Sequence, residues 1–264
     1  MTPVMRMPDW LHRAMPPALV LVAAVALWEA AVRLYAIPPY VLPSPTLALT
    51  TLVTDRAILL PALAVTLGTT LEALALAVIG GVALAVLFSQ SKWVERAFLP
   101  VAIVLQVTPI IAIAPLLLIY LDASTAVLVC AFLVAFFPIL SNTALGLASV
   151  DRNLSDLFAL YRASGWRTLL LLRMPAALPY FLGGLRIGGG LALIGAIAAE
   201  LAAGAAGKGA GLTFRIVEAG YRLNIPRMFA ALALISLAGI AIFASLAALS
   251  ACLLGRWHES ALER

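Results

Sequence analysis

Long apolar runs joined by short polar connections organise the chain. They fall near residues 18–35, 62–88, 98–120, 125–146, 177–203 and 228–254. At ~1.5 Å of rise per residue, runs of this length approach or exceed a hydrocarbon core of ~30 Å. The pattern predicts an all-α integral membrane protein with six spans. Residues 1–17 form a polar N-terminal segment, and residues 147–176 the longest polar-bearing connection. Within that connection Asp151 is suited to cap a helix, and Leu154, Leu157, Phe158 and Tyr161 recur at i, i+3, i+4 and i+7. The spacing gives a short amphipathic helix with Asp156 near its start, stopped by Ser164 and Gly165. A second short run, 166–173, precedes Pro175, and Pro179 suits the first turn of the fifth span.

Polar residues inside the apolar runs are the candidates for function. Glu72 lies within the second run, where a carboxylate costs about 2.5–3.5 kcal/mol on insertion scales. It therefore faces protein or water, either lining a pathway or packed against Thr69 and Thr70. The third run carries Gln106, Thr108, Pro109 and Pro115, and internal prolines remove backbone hydrogen bonds and bend a helix. Residues 106–115 are thus a pore wall or a bent packing helix. In the fifth run Gly184 and Gly188 have the spacing that lets helices approach closely. Arg186 and Glu200 are separated by roughly 21 Å of helix and cannot pair within it. Glu200 is a further pathway candidate.

Composition removes whole classes of function. With 64% hydrophobic residues, 11% charged and a mean hydropathy of +1.10, the chain falls far short of the ~25% charged residues of a soluble domain. Cys130 and Cys252 both lie in apolar runs, so no disulfide framework is implied. Arg6 and Arg13 before the first run resemble the start of a signal peptide, but Ala24, Val25 and Ala26 lie inside the run and argue against cleavage. Glu29 and Arg33 neutralise each other at i,i+4 near the far end of that span. Gly207 and Lys208 echo a phosphate loop, yet Gly209 follows the lysine and Ala202 stands where the first glycine belongs. No metal cluster, cofactor motif or nucleophile–base set is present, and no basic aromatic-interleaved stretch for nucleic acid. The sequence therefore reads as no enzyme.

The net charge of +5 also bears on orientation. Six spans place both termini on one side. The faces joined to the termini carry Arg6, Arg13, Lys92, Arg96, Arg152, Arg162, Arg167, Arg173, Arg256 and Arg264, against Arg33, Arg56, Lys208, Arg215, Arg222 and Arg227 opposite. The excess favours cytoplasmic termini and contact with membrane lipid.

The 151–179 stretch resembles the cytoplasmic loop of type I ATP-binding-cassette (ABC) importer permeases, which reads Glu-Ala-Ala, three residues, Gly, and later Leu-Pro. On that pattern Asp156 takes the acidic position, Leu157 and Phe158 the alanines, Arg162 the glycine, and Met174 with Pro175 the Leu-Pro. Arg162 is the principal departure. The ordered landmarks LPSPT, QVTPIIAIAPL, FFPILSNTALG and LPYFLGGLRI resemble the nitrate, taurine and sulfonate branch of these permeases. QVTPIIAIAPL and TTLEALALA resemble the permeases for pyrimidine-type thiamine precursors at least as well as those for sulfonates. The resemblance implies a six-span inner-membrane permease, paired as a homodimer, served by ABC ATPase subunits and a substrate-binding protein. It implies ATPase coupling through Asp156, Leu157, Phe158, Tyr161, Arg162, Ala163, Ser164, Gly165 and Trp166. An ion-coupled secondary transporter or channel, with Glu72 and Glu200 as coupling carboxylates, is the alternative, although no matched internal repeat supports it.

Overall fold

A computed structural model describes residues 9–204 and 210–255, with side chains from Met15 onward. Arg6, Gly207, Lys208, Arg256 and Arg264 lie outside the described residues. Among the described residues every regular element is helical: α1 (Asp9–Leu34), α2 (Pro45–Thr54), α3 (Arg56–Gln90), α4 (Lys92–Val107), α5 (Ile110–Tyr120), α6 (Ala123–Ala148), α7 (Arg152–Leu160), α8 (Gly165–Thr168), a π turn (Leu169–Arg173), α9 (Met174–Ala203), α10 (Leu212–Tyr221) and α11 (Ile225–Leu254).

Five continuous stretches among them are long and apolar enough to cross a membrane: Met15–Leu34, Arg56–Gln90, Ala123–Ala148, Gly165–Ala203 and Ile225–Leu254. Three local expectations change. Helix α1 starts at Asp9, ahead of the apolar run, because a helix needs no apolar side chains where it leaves the bilayer. The third run is two helices, α4 and α5, bent by 100° where Thr108 and Pro109 interrupt them; counted as one broken span, the pair brings the total to six. The helical stretch that carries the fifth run begins at Gly165, ahead of the apolar run near 177. Pro175 and Pro179 lack the N–H that would donate four residues back, and the ring of each crowds that carbonyl. The π turn widens the helix just ahead of Pro175, with Met174 N–H bonding the Leu169 carbonyl, and the helix continues through both prolines.

The chain divides into two compact units, residues 1–59 with 215–233 and residues 60–214 with 234–264. In the first, Ser44 caps α2, and Glu29 accepts from Arg33 Nε at 2.6 Å and from the Thr46 hydroxyl and amide at 2.9 and 3.1 Å. Arg227 Nε meets Asp55 at 2.5 Å, and Glu218 binds Arg215 and Arg222, the Arg215 hydrogen bond foremost in holding the Glu218 carboxyl below its ordinary range.

The second unit is built on α6 packed along α9. A Cβ on Gly184 would lie 2.8 Å from the Pro138 carbonyl and Asn142, and one on Gly146 would lie 2.8 Å from Ala177. Only glycine allows backbones this close, and small interfacial residues are how helices associate without a hydrophobic drive between them. Leu74 and Ala77 of α3 close the middle of this core against Ile139, Leu182 and Leu185. Asp122 caps α6, accepting from the Ser124 hydroxyl and from the Thr125 amide and hydroxyl, which bring its carboxyl down to about 2.

Candidate functional site

Three features of the second unit hold the residues singled out in the sequence. The first is the surface connection between α6 and α9. Asp151 caps α7, its carboxylate accepting from the Asn153 amide at 2.6 Å, so the negative charge at the positive end of the helix dipole comes from Asp151. Asp156 sits in the body of the helix rather than at its start. Leu157, Tyr161 and Trp166 are exposed and Phe158 is half-buried; Leu160, outside the expected stripe, is exposed as well.

The turn that follows ends α7 before Ser164. The Ala163 amide reaches the Phe158 carbonyl and the Arg162 amide the Ala159 carbonyl, both at 2.9 Å, which is the paired closure of a Schellman motif. That motif needs a left-handed residue, and Arg162 occupies it with φ +48°. Ser164 is therefore not a stop: its hydroxyl accepts from the Arg167 amide at 3.4 Å and opens α8, of which Gly165 is the first residue. Residues 156–166 thus form helix, tight turn and helix with an uncovered apolar surface. Arg173 anchors the far end, donating to the Ser89 carbonyl at 2.9 Å.

The second feature is the break between α4 and α5. Gln106, Thr108 and Pro109 line a cavity of about 370 Å³ closed by Val134 and Pro138 of α6 and Leu191 of α9. The Thr108 hydroxyl is turned back to the Val104 carbonyl at 2.6 Å. Pro109 holds the cap position of α5 without a side-chain acceptor for the first-turn amides, which leaves backbone donors at the cavity edge. No lining side chain is charged. An exposed amide and free backbone donors in an apolar wall suit a small, neutral, hydrogen-bonding solute.

The third feature separates the two carboxylates. Glu72 is exposed midway along α3, and the Thr69 and Thr70 hydroxyls donate to the Val65 and Thr66 carbonyls instead of to it. Glu200 is buried: it accepts from Thr66 Oγ1 at 2.7 Å and from the Thr213 amide at 3.1 Å, while Thr66 Oγ1 accepts from the Leu212 amide at 2.8 Å. A Cβ on Gly211 would fall onto this carboxylate, so the chain passes directly over it. The cavity beside Glu200 is about 50 Å³, room for water and not for a solute. Glu200 and Thr66 together hold the start of α10. Thr66 and Gly211 carried no sequence signal beyond a threonine repeated at i,i+4 and one glycine among many.

A family model described as binding-protein-dependent transport system inner membrane component matches residues 77–257. The chain is 32% identical to the riboflavin transport system permease protein RibX of Chloroflexus aurantiacus, over 96% of this chain and 92% of that protein. It is 33% identical to the formylaminopyrimidine transport permease protein ThiX of Halalkalibacterium halodurans, over 92% and 96% respectively. A probable ABC transporter permease protein of Haemophilus influenzae is 33% identical over 83% of this chain and 89% of its own.

Proposed function

The chain belongs to the family of binding-protein-dependent transport system inner membrane components, and from that premise we propose how its own residues carry out import. It is the multi-pass permease subunit of an ABC importer for a small solute, working with separate ATPase and substrate-binding subunits, and is not itself an enzyme. Family membership sets aside the ion-coupled alternative.

In our reading the turn at residues 156–166 is the part the ATPase grips. The observation that carries this is the uncovered surface of Leu157 and Leu160 on α7, Tyr161 at its end and Trp166 on α8, two helices too short to bury it between them. ATP-driven closure of the ATPases would move α7 and, through α8 and the π turn, the long helix α9 that walls the cavity at the α4–α5 break. Two copies of the permease would flank one pathway, with both termini and the 147–176 loop in the cytoplasm and lipid around the outside. Gln106, Thr108 and Pro109 would meet the solute, and Glu72 would face water between the copies. Glu200 would instead steady the opposite face through Thr66 and Thr213. The uncharged cavity favours a neutral heterocycle, the kind of solute that the names of the riboflavin and formylaminopyrimidine permeases describe.

The test is reconstitution with the ATPase. An aromatic buried at such a contact can exceed 2 kcal/mol on truncation, about thirtyfold in association. Tyr161→Ala and Phe158→Ala should insert normally and lose ATPase retention or solute-stimulated hydrolysis. Normal coupling in both variants would remove the loop from the mechanism.

A further inference from the structure

We propose that the permease holds one anionic phospholipid in the leaflet on the side of the 147–176 loop, its acyl chain in a groove between α3, α6 and α9 and its phosphate beside Arg173 and Lys92. The groove has a volume of about 510 Å³ and is lined by Val78, Val82 and Val86 of α3, Leu147 of α6, and Leu178 and Phe181 of α9. Its one hydroxyl, on Thr143, is turned away to the Ile139 carbonyl at 2.6 Å. Along α3 the lining runs for roughly 12 Å at the helical rise, most of the ~15 Å half-thickness of a hydrocarbon core. No solute with a polar edge would find a partner there.

Leu147 also lines a second cavity, of opposite character. This one is about 220 Å³ and carries Ser89, Lys92, Glu95, Ser155 and Arg173. Trp93, 76% exposed beside Lys92, marks the level of the headgroups, where indole rings collect. Lys92 pairs with Glu95 at 2.9 Å, but the pair is exposed and of little worth, so the ammonium is free to exchange partners. Arg173 spends Nη1 on the Ser89 carbonyl and keeps its other donors for an anion. Two cations against one carboxylate leave the cavity net positive. An apolar slot that ends at the membrane surface in a basic, hydrogen-bonding cavity matches an amphiphile with an anionic head; a helix from a second copy would fill the slot and leave the cations unanswered.

The complex of permease and ATPase, assembled in nanodiscs of phosphatidylglycerol and phosphatidylcholine in equal amounts, tests this by native mass spectrometry. One phosphatidylglycerol should remain per permease. Its retention should fall roughly fivefold in Lys92→Gln, the worth of one basic side chain at a membrane surface, and be lost in Val82→Trp, which fills the slot. Equal retention of both lipids, or unchanged retention in both variants, means annular lipid only and overturns the proposal. Dissociation of permease pairs in Val82→Trp with no change in lipid means that a second copy occupies the slot, and also overturns it. Phosphatidylglycerol bearing a diazirine on its acyl chain needs no variant: label should concentrate on residues 78–86 and 174–181 of the wild type. Label spread evenly over the exposed faces, Ile240 and Phe243 of α11 included, would sink it. The proposal requires only that the helices span the membrane, so its failure leaves the coupling loop untouched.

Discussion

Arg162 shows how one residue can be wrong for its backbone and still reveal what the backbone needs. On the loop pattern that the sequence resembles its position is a glycine, and the turn after α7 closes with this residue left-handed, at φ +48°. An L side chain there costs roughly 1–2 kcal/mol, which glycine avoids. Arg162→Gly should therefore raise the thermal midpoint of the complex, while Arg162→Val lowers it; a fall with glycine would show that the guanidinium holds the turn. Arg162→Glu should impair ATPase coupling more than Arg162→Gly, because it reverses a charge on the surface that we propose the ATPase grips. The Thr66 hydroxyl is the other residue on which much depends, since it serves Glu200 and the Leu212 amide together. Thr66→Val removes both bonds and leaves a buried carboxylate and amide short of partners, at a cost of about 2–4 kcal/mol. Amide exchange at Leu212 and Thr213 should accelerate in Thr66→Val and return towards wild type in Thr66→Ser. Equal protection in all three would mean that α10 is held by other contacts.

Elements differ in how far they can be read from sequence, and the difference follows the range of the forces that make them. The amphipathic helix α7 and the glycine spacing of α9 are local patterns, so periodicity alone locates both. The end of α7 is also local, yet Ser164 and Gly165 suit a helix start as well as a stop, and only the Arg162 bonds decide between them. Helical structure runs unbroken from Gly165 through α9, with a π turn just ahead of Pro175, which no count of apolar residues reveals. Glu200 and Thr66 lie 134 residues apart, and nothing near either one announces the other. The break between α4 and α5 was legible as a bend, since Thr108 and Pro109 interrupt the run, but not as a 100° turn enclosing a cavity. If that cavity lies on the pathway, Gln106→Leu should lower solute flux while ATPase retention and basal hydrolysis persist. Unchanged flux would return the break to a packing role.

At the scale of the whole molecule, the bent pair decides the topology. If α4 and α5 cross the bilayer once between them, there are six spans, and Trp93 and Ser164 share a side; if they enter and return, there are five, and those two positions lie on opposite sides. Thiol labelling of intact cells separates the two arrangements. Cys252 is exposed and must first be replaced by serine, whereas Cys130 is buried and can stay. The outer markers must be exposed, since a thiol at a buried position such as Ala210, 4% exposed, would be shielded whichever side it faced. Tyr221, 88% exposed, and Tyr40, 66% exposed, are better placed. With an impermeant reagent, Tyr221→Cys and Tyr40→Cys should react, and Trp93→Cys and Ser164→Cys should react only after the cells are opened. The opposite result for all four would invert the permease and leave no cytoplasmic surface for the ATPase at the loop. Labelling that separates Trp93→Cys from Ser164→Cys would make the bent pair re-entrant, and would make the cavity at its break a pocket within one leaflet.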